Sequence, residues 1–124
     1  DCFEGLASGP AIEKRLGVTG VVVPENDAFW DLEADYIASA LMNYILTLSP
    51  KKIILGGGVM QREFLFSRVR HRVRELLNGY VSSKAVTENI EDYIVPPGLG
   101  SQSGSLGAIA LAMQIDEKNN DPRI

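Results

Sequence analysis

The chain has little of what most directly announces a chemistry. It carries one cysteine, one histidine and one tryptophan in 124 residues. A single thiol cannot close an internal disulfide, so a reducing cytoplasm is the economical expectation. The one histidine, His71, reads as a lone exposed residue without a carboxylate partner, and no catalysis is assigned to it. There is no basic excess either. The formal net charge of −4 gives no phosphate-neutralising surface, which argues against nucleic acid as a partner. No long apolar run escapes interruption by charges, and no charged-then-apolar leader opens the chain, so neither a membrane span nor secretion is expected. Internal repeats and low-complexity tracts are missing as well.

What is present is enough apolar residue, 45%, to bury one domain's core, in a length that is small for a complete two-lobed enzyme. The chain opens on Asp1-Cys2-Phe3-Glu4 without an initiating Met and reads like the middle of something longer. The stretch that organises the rest is Lys51-Lys52-Ile53-Ile54-Leu55-Gly56-Gly57-Gly58-Val59-Met60. A β-branched run that stops in three glycines before a helix predicts a buried strand opening into a turn. Glycine has no Cβ, so such a turn bares backbone N–H groups, and the next helix start adds partial positive charge for a nucleotide. The same triplet also serves a tight αβ unit that merely turns the chain.

In chain order, helical spacing over Cys2 to Leu16 is broken at Ser8-Gly9-Pro10, which predicts two short helices ended by Gly17. Val18 to Val23, divided by Gly20 and closed by Pro24, reads as an extended connector or short edge strand. Asp27 to Ser49 gives the strongest helix, capped by Asn26 or Asp27 and stopped by Pro50. Its wide apolar face runs from Phe29 and Trp30 to Leu48, with Trp30 and the tyrosines as core, while Asp31, Glu33, Asp35 and Asn43 are placed on the other side.

Beyond the glycines, Arg62 to Leu77 predicts a second helix with Leu65, Val69, Val73, Leu76 and Leu77 inward. Its Arg68, Arg70, Arg72 and Arg74 spread over more than one azimuth among Glu63 and Glu75, and read as a solvated face. Tyr80 to Asp92 is polar and irregular, with one helical turn around Glu88 to Glu91. Tyr93-Ile94-Val95 predicts a second short strand, ended by Pro96-Pro97. After the loop from Gly98 to Gly104, Ser105 to Ile115 gives a small-residue helix suited to close packing. Glu117 to Ile124 reads as a polar tail, leaving residues 1–116 as one segment. Helix, strand, glycines, helix, strand, glycine loop, helix is the order of an α/β unit with parallel strands.

At this point the residues carry a resemblance. Cys2-Phe3-Glu4-Gly5-Leu6-Ala7-Ser8-Gly9-Pro10-Ala11-Ile12-Glu13, Trp30-Asp31-Leu32-Glu33-Ala34, Tyr36-Ile37-Ala38, Ile53-Ile54-Leu55-Gly56-Gly57-Gly58-Val59-Met60, Leu77-Asn78-Gly79-Tyr80 and Tyr93-Ile94-Val95-Pro96-Pro97 resemble the C-terminal part of bacterial ROK-family sugar kinases. The resemblance is to the fructokinase branch and runs from Asp1 to about Met113. It implies an actin-like, ribonuclease H-type two-lobed fold, of which this chain is a partial lobe with helices packed on a short parallel sheet. It also implies transfer of the ATP γ-phosphate to the 6-hydroxyl of fructose or a related hexose, with Mg2+ on the phosphates.

By that resemblance, Gly57, Gly58, Val59, Met60, Gln61 and Arg62 hold the adenosine end of the nucleotide, and Pro10 lines it from the opposite side. Cys2 matches the last ligand of a structural Zn2+ site, and Glu4 matches a carboxylate that accepts hydrogen bonds from sugar hydroxyls. Where the family's final loop carries Asp or Asn after Leu-Gly, this chain has Ser101-Gln102-Ser103. No catalytic residue is expected in this segment: the phosphate loop, the general base and the other zinc ligands belong upstream of residue 1. The expected partners are that N-terminal part and further copies of the same protein. Two other readings stand beside this one: the sugar-sensing domain of a ROK-type transcriptional repressor, and an independent interaction module. The intact glycine turn favours the kinase.

Overall fold

Two long helices lie against each other and carry most of the buried surface. α3 (Phe29–Leu48) presents Trp30, Ala34, Ile37, Ala38, Leu41 and Ile45, and α4 (Glu63–Leu77) presents Leu65, Phe66, Val69, Val73 and Leu77, all buried. Both sets recur at three and four, so each is one stripe of a helix. Ala34 and Ala38 keep the α3 side shallow where the larger α4 residues enter. This computed structural model describes residues 2–119.

Around that pair the chain is built from short pieces. α1 (Phe3–Ala7) and α2 (Gly9–Leu16) are separated by Ser8, whose extended backbone and Oγ, accepting from the Ala11 N–H at 3.4 Å, start α2. Gly17, at φ 71°, ends it in the left-handed conformation that glycine adopts without strain. Asp27 Oδ1 accepts from the Phe29 N–H at 2.8 Å and so caps the start of α3. β1 (Ile53–Ile54) and β2 (Ile94–Val95) pair in parallel, Ile53 opposite Ile94 and Ile54 opposite Val95. A parallel pair needs a crossover, and α4 with α5 (Lys84–Thr87) and α6 (Ile90–Tyr93) supplies it. The Tyr93 hydroxyl donates to the Pro50 carbonyl at 3.0 Å, tying the entrance of β2 to that of β1. α7 (Ser103–Asn119) closes the order. The result is an α/β arrangement with helices packed around a small parallel sheet.

Several expectations change. Val18 to Val23 is not a strand: Gly20–Val22 forms a 3-10 turn. A Cβ on Gly20 would stand 3.2 Å from Ile12 Cγ2 and 3.5 Å from Trp30 Cη2, so close packing against α2 and α3 bends the segment. Tyr80 to Asp92 contains two short helices rather than one. α4 begins at Glu63, because a 3-10 turn at Val59–Gln61 intervenes between the glycines and Arg62. The expected close packing of the small-residue helix is not found, since Gly104 to Ile115 of α7 are exposed. Within the expected tail, Glu117 to Asn119 continue α7, and residues 120–124 lie outside the described residues.

The charged residues depart furthest from expectation. The arginines of α4 are engaged rather than merely solvated. Arg68 reaches Asp31 at 2.6 Å and the Glu25 carbonyl at 2.7 Å. Arg70 donates to the Ile94 carbonyl from Nε and Nη2, and Arg72 meets Asp35 and Glu75. His71 has a carboxylate neighbour one turn on, with Nε2 3.5 Å from Glu75 Oε1. Glu33, expected on the polar side of α3, lies one turn from Trp30 and Ile37 and is completely buried.

Candidate functional site

The site grows from the end of β1. Leu55 donates its N–H to the Val95 carbonyl at 2.9 Å, and the strand then gives way to Gly56-Gly57-Gly58. Each glycine does something different. At Gly56 a Cβ would lie 2.9 Å from Pro97 Cγ, so it lets the two strand ends approach. Gly57 sits at φ 99°, a conformation L side chains rarely adopt. Gly58 has ordinary helical torsions, φ −61° and ψ −37°, and leads into the 3-10 turn.

Two open clefts flank this turn. The first, of about 700 Å³, is backed by Ile12, Ile37, Leu55 and Met60. The same cleft brings together Pro10, from the first turn of α2, with Gly57, Gly58, Val59, Met60, Gln61 and Arg62. These residues are 47 to 52 positions from Pro10 in sequence, and only the folded chain makes them neighbours. Glu13 and Arg62 are the charged side chains lining it. Arg62 is held in place, its guanidinium 4.8 Å from the centre of the Trp30 ring, an arrangement stabilised by the ring's negative face. Trp30 is fixed in turn by Nε1, which donates to the Pro24 carbonyl at 3.0 Å. The second cleft, of about 950 Å³, lies between the turn, Pro96-Pro97 and the start of α7, and includes Arg70, Ser101 and Ser103.

Sequence reasoning missed the strap formed by Thr19, Gly20 and Val21, which supplies a third wall of the first cleft. The signal was Gly20 splitting a valine-rich run. Glu4 and Cys2 are exposed and line neither cleft. The Cys2 carbonyl accepts from the Leu6 N–H at 3.1 Å, which places the residue at the start of α1.

Chemically, the first cleft is a platform for binding. It offers bare backbone, an apolar wall and one fixed cation, and Glu13 is the single carboxylate in its lining. A flat, partly apolar ligand with an anionic end fits such a donor set. A structural zinc ion needs four ligands. Among the described residues no three His, Cys, Asp or Glu side chains gather, so these residues do not by themselves complete such a site, and Cys2 is a free, exposed thiol. No helix among the described residues is long and apolar enough to cross a membrane.

A model of the ROK family matches residues 1–115. The chain belongs to the ROK family. Its place there is on the fructokinase branch, among relatives 37% to 52% identical. It is 52% identical over 114 residues to a Bacillus subtilis (strain 168) protein named provisionally as a fructokinase, covering 92% of this chain and 38% of that protein. It is 45% identical over 111 residues to a fructokinase of Pediococcus pentosaceus, covering 90% of this chain and 37% of the relative. A fructokinase of Streptococcus mutans is 40% identical over 115 residues, 92% of this chain and 38% of its own. The chain therefore spans less than two fifths of the length of these relatives.

Proposed function

We propose that this ROK-family segment is the nucleotide-holding part of an ATP-dependent hexose kinase, a fructokinase acting on the sugar 6-hydroxyl. The observation that carries the reading is the first cleft, where Pro10 faces the turn from Gly57 to Arg62. In this reading residues 1–116 are one segment of an actin-like, ribonuclease H-type lobe, completed by the N-terminal remainder of a cytoplasmic, oligomeric enzyme.

Bound ATP, with Mg2+ on its phosphates, supplies the phosphoryl group and the charge neutralisation that its transfer needs. What this chain's residues do is bind and orient. Pro10 and Met60 enclose the base between them, Gly57 and Gly58 let the ribose approach backbone, and Val59, Gln61 and Arg62 form the rim. Glu4 accepts hydrogen bonds from the hexose hydroxyls and fixes which oxygen faces the phosphate. Cys2 is one of four ligands of a structural zinc whose other three come from outside this segment. The general base and the phosphate loop come from there too.

The test is calorimetry with ADP on the full-length protein. Gly57→Val forces a β-branched residue into a backbone conformation that costs about 1–3 kcal/mol, and the turn shifts to relieve it. ADP affinity is expected to fall by roughly ten- to a hundred-fold, whereas Gly98→Ala, which meets open space, leaves it unchanged. Unchanged ADP affinity in Gly57→Val would return the glycines to a purely chain-turning role.

A further inference from the structure

α1 and α2 are neighbours in sequence but are anchored very differently. α2 is secured by Ile12, which is 1% exposed, by the Ser8 cap and by Gly17. α1 has five residues, no buried side chain and no side-chain cap at its start. A helix of that length does not hold itself, so its position is set by what it rests on, α3 and α2, and by any side chain that ties it to them.

That grip comes from Arg15, near the end of α2. Its Nη2 donates to the Leu6 carbonyl, one of the terminal carbonyls of α1 that lack a partner within the helix. Its Nη1 donates to Glu33 Oε2 at 3.3 Å. The guanidinium carbon is 5.7 Å from the Phe29 ring centre and 5.1 Å from that of Tyr36. A planar guanidinium presents its donors in a fixed fork, so when Glu33 fixes one arm the direction of the other follows.

Glu33 is an expensive way to do this. It is fully buried, and Oε1 has no hydrogen-bond partner among the described residues. Burial pushes its carboxyl above the ordinary glutamate value even though the Arg15 charge and hydrogen bond pull the other way. An ionised carboxylate whose desolvation outweighs its pairing does not add stability. What it contributes is direction.

We infer that Glu33, acting through Arg15, is a positioning residue that fixes α1 and thereby the hexose-facing carboxylate of Glu4. The inference rests on the reading of Glu4 as a sugar contact. It gives a role to the one buried charge of the described residues, and it predicts a larger defect for the hexose, whose contact α1 carries, than for the nucleotide, whose cleft α1 only edges through Phe3 and Ala7. α2, with Pro10, keeps Ile12 in the core when the pair is cut.

The experiment uses the full-length enzyme and the variants Glu33→Gln, Arg15→Lys and Glu4→Gln. Misplacement of a contact group by about 1 Å costs up to about 100-fold. Glu33→Gln and Arg15→Lys are therefore expected to raise the fructose KM by about ten-fold, with the ATP KM rising less, by no more than about three-fold. The Tm of Glu33→Gln stays level or rises, and the Leu6 and Ala7 amides exchange faster. A fructose KM that does not move, or two KM values that rise together as Tm falls, would overturn the inference. Unchanged exchange at Leu6 and Ala7 overturns it independently of any activity. If Glu4→Gln leaves the fructose KM unchanged, it is the reading of Glu4 that fails, and the amide exchange still decides whether Glu33 positions α1.

Discussion

The chain contains two strand–turn–helix units whose helices meet opposite fates. β1, the glycine turn and α4 form the first; β2, the loop from Pro96 to Gln102 and α7 form the second. Each turn holds a glycine in the left-handed region, Gly57 at φ 99° and Gly100 at φ 54°, and the helices have 15 and 17 residues. Yet α4 buries five large side chains, whereas Leu106, Ile109, Leu111, Met113 and Ile115 of α7 are all exposed. The difference lies in the pattern. In α4 apolar residues form one stripe opposite a charged face, so one neighbour, α3, satisfies it. In α7 leucine, isoleucine, methionine and alanine go all round, and such a helix needs cover from more than one side. A periodic stripe reports a contact within the segment; an all-round apolar helix reports surface offered beyond it.

The largest way to break this contrast is in the first unit's core. Leu65→Ala, at a fully buried position, is expected to lower the unfolding free energy of the full-length protein by about 2–5 kcal/mol, measured by urea denaturation. A loss under about 1 kcal/mol would mean that α4 is not the anchor described. Hydrogen exchange sharpens the second unit. In residues 1–124 alone, amides in the middle of α7 are expected to exchange orders of magnitude faster than those of Val69 and Val73. In the full-length protein the gap should shrink as the remainder covers α7, and an equal gap in both would leave α7 permanently uncovered. The smallest effect belongs to the surface ties of α4. Arg72 is exposed between Asp35 and Glu75, so Arg72→Ala should move the urea midpoint least of these changes, and less still in high salt.

How legible the molecule was depends on whether a residue's environment is local. The break at Ser8, the left-handed end at Gly17, the extent of α3 and the parallel pair at Ile53 and Ile94 follow from periodicity and turn chemistry, and the sequence showed them. Glu33 was not legible. Its charge groups it with Asp31 and Asp35, although a helical wheel sets it beside Trp30 and Ile37, and nothing in spacing reveals that Arg15 arrives from another helix to receive it. The Gly20 turn failed for a related reason, since its bend is imposed by Ile12 and Trp30. Of the candidate site, the glycine turn was legible from composition, and the resemblance supplied Pro10. The strap at Thr19 to Val21 was visible only once α2 and α3 had packed.

Gly56 and Pro97 touch across the ends of two strands, with no room for a methyl group between them. The consequence is historical as well as mechanical. A side chain at position 56 forces the proline ring or the strand end to shift while Pro97 stands, and meets less resistance once the ring is gone. The two positions therefore favour an order of change, and a variant library built on this chain should accept Gly56→Ala more often in members that have already replaced Pro97.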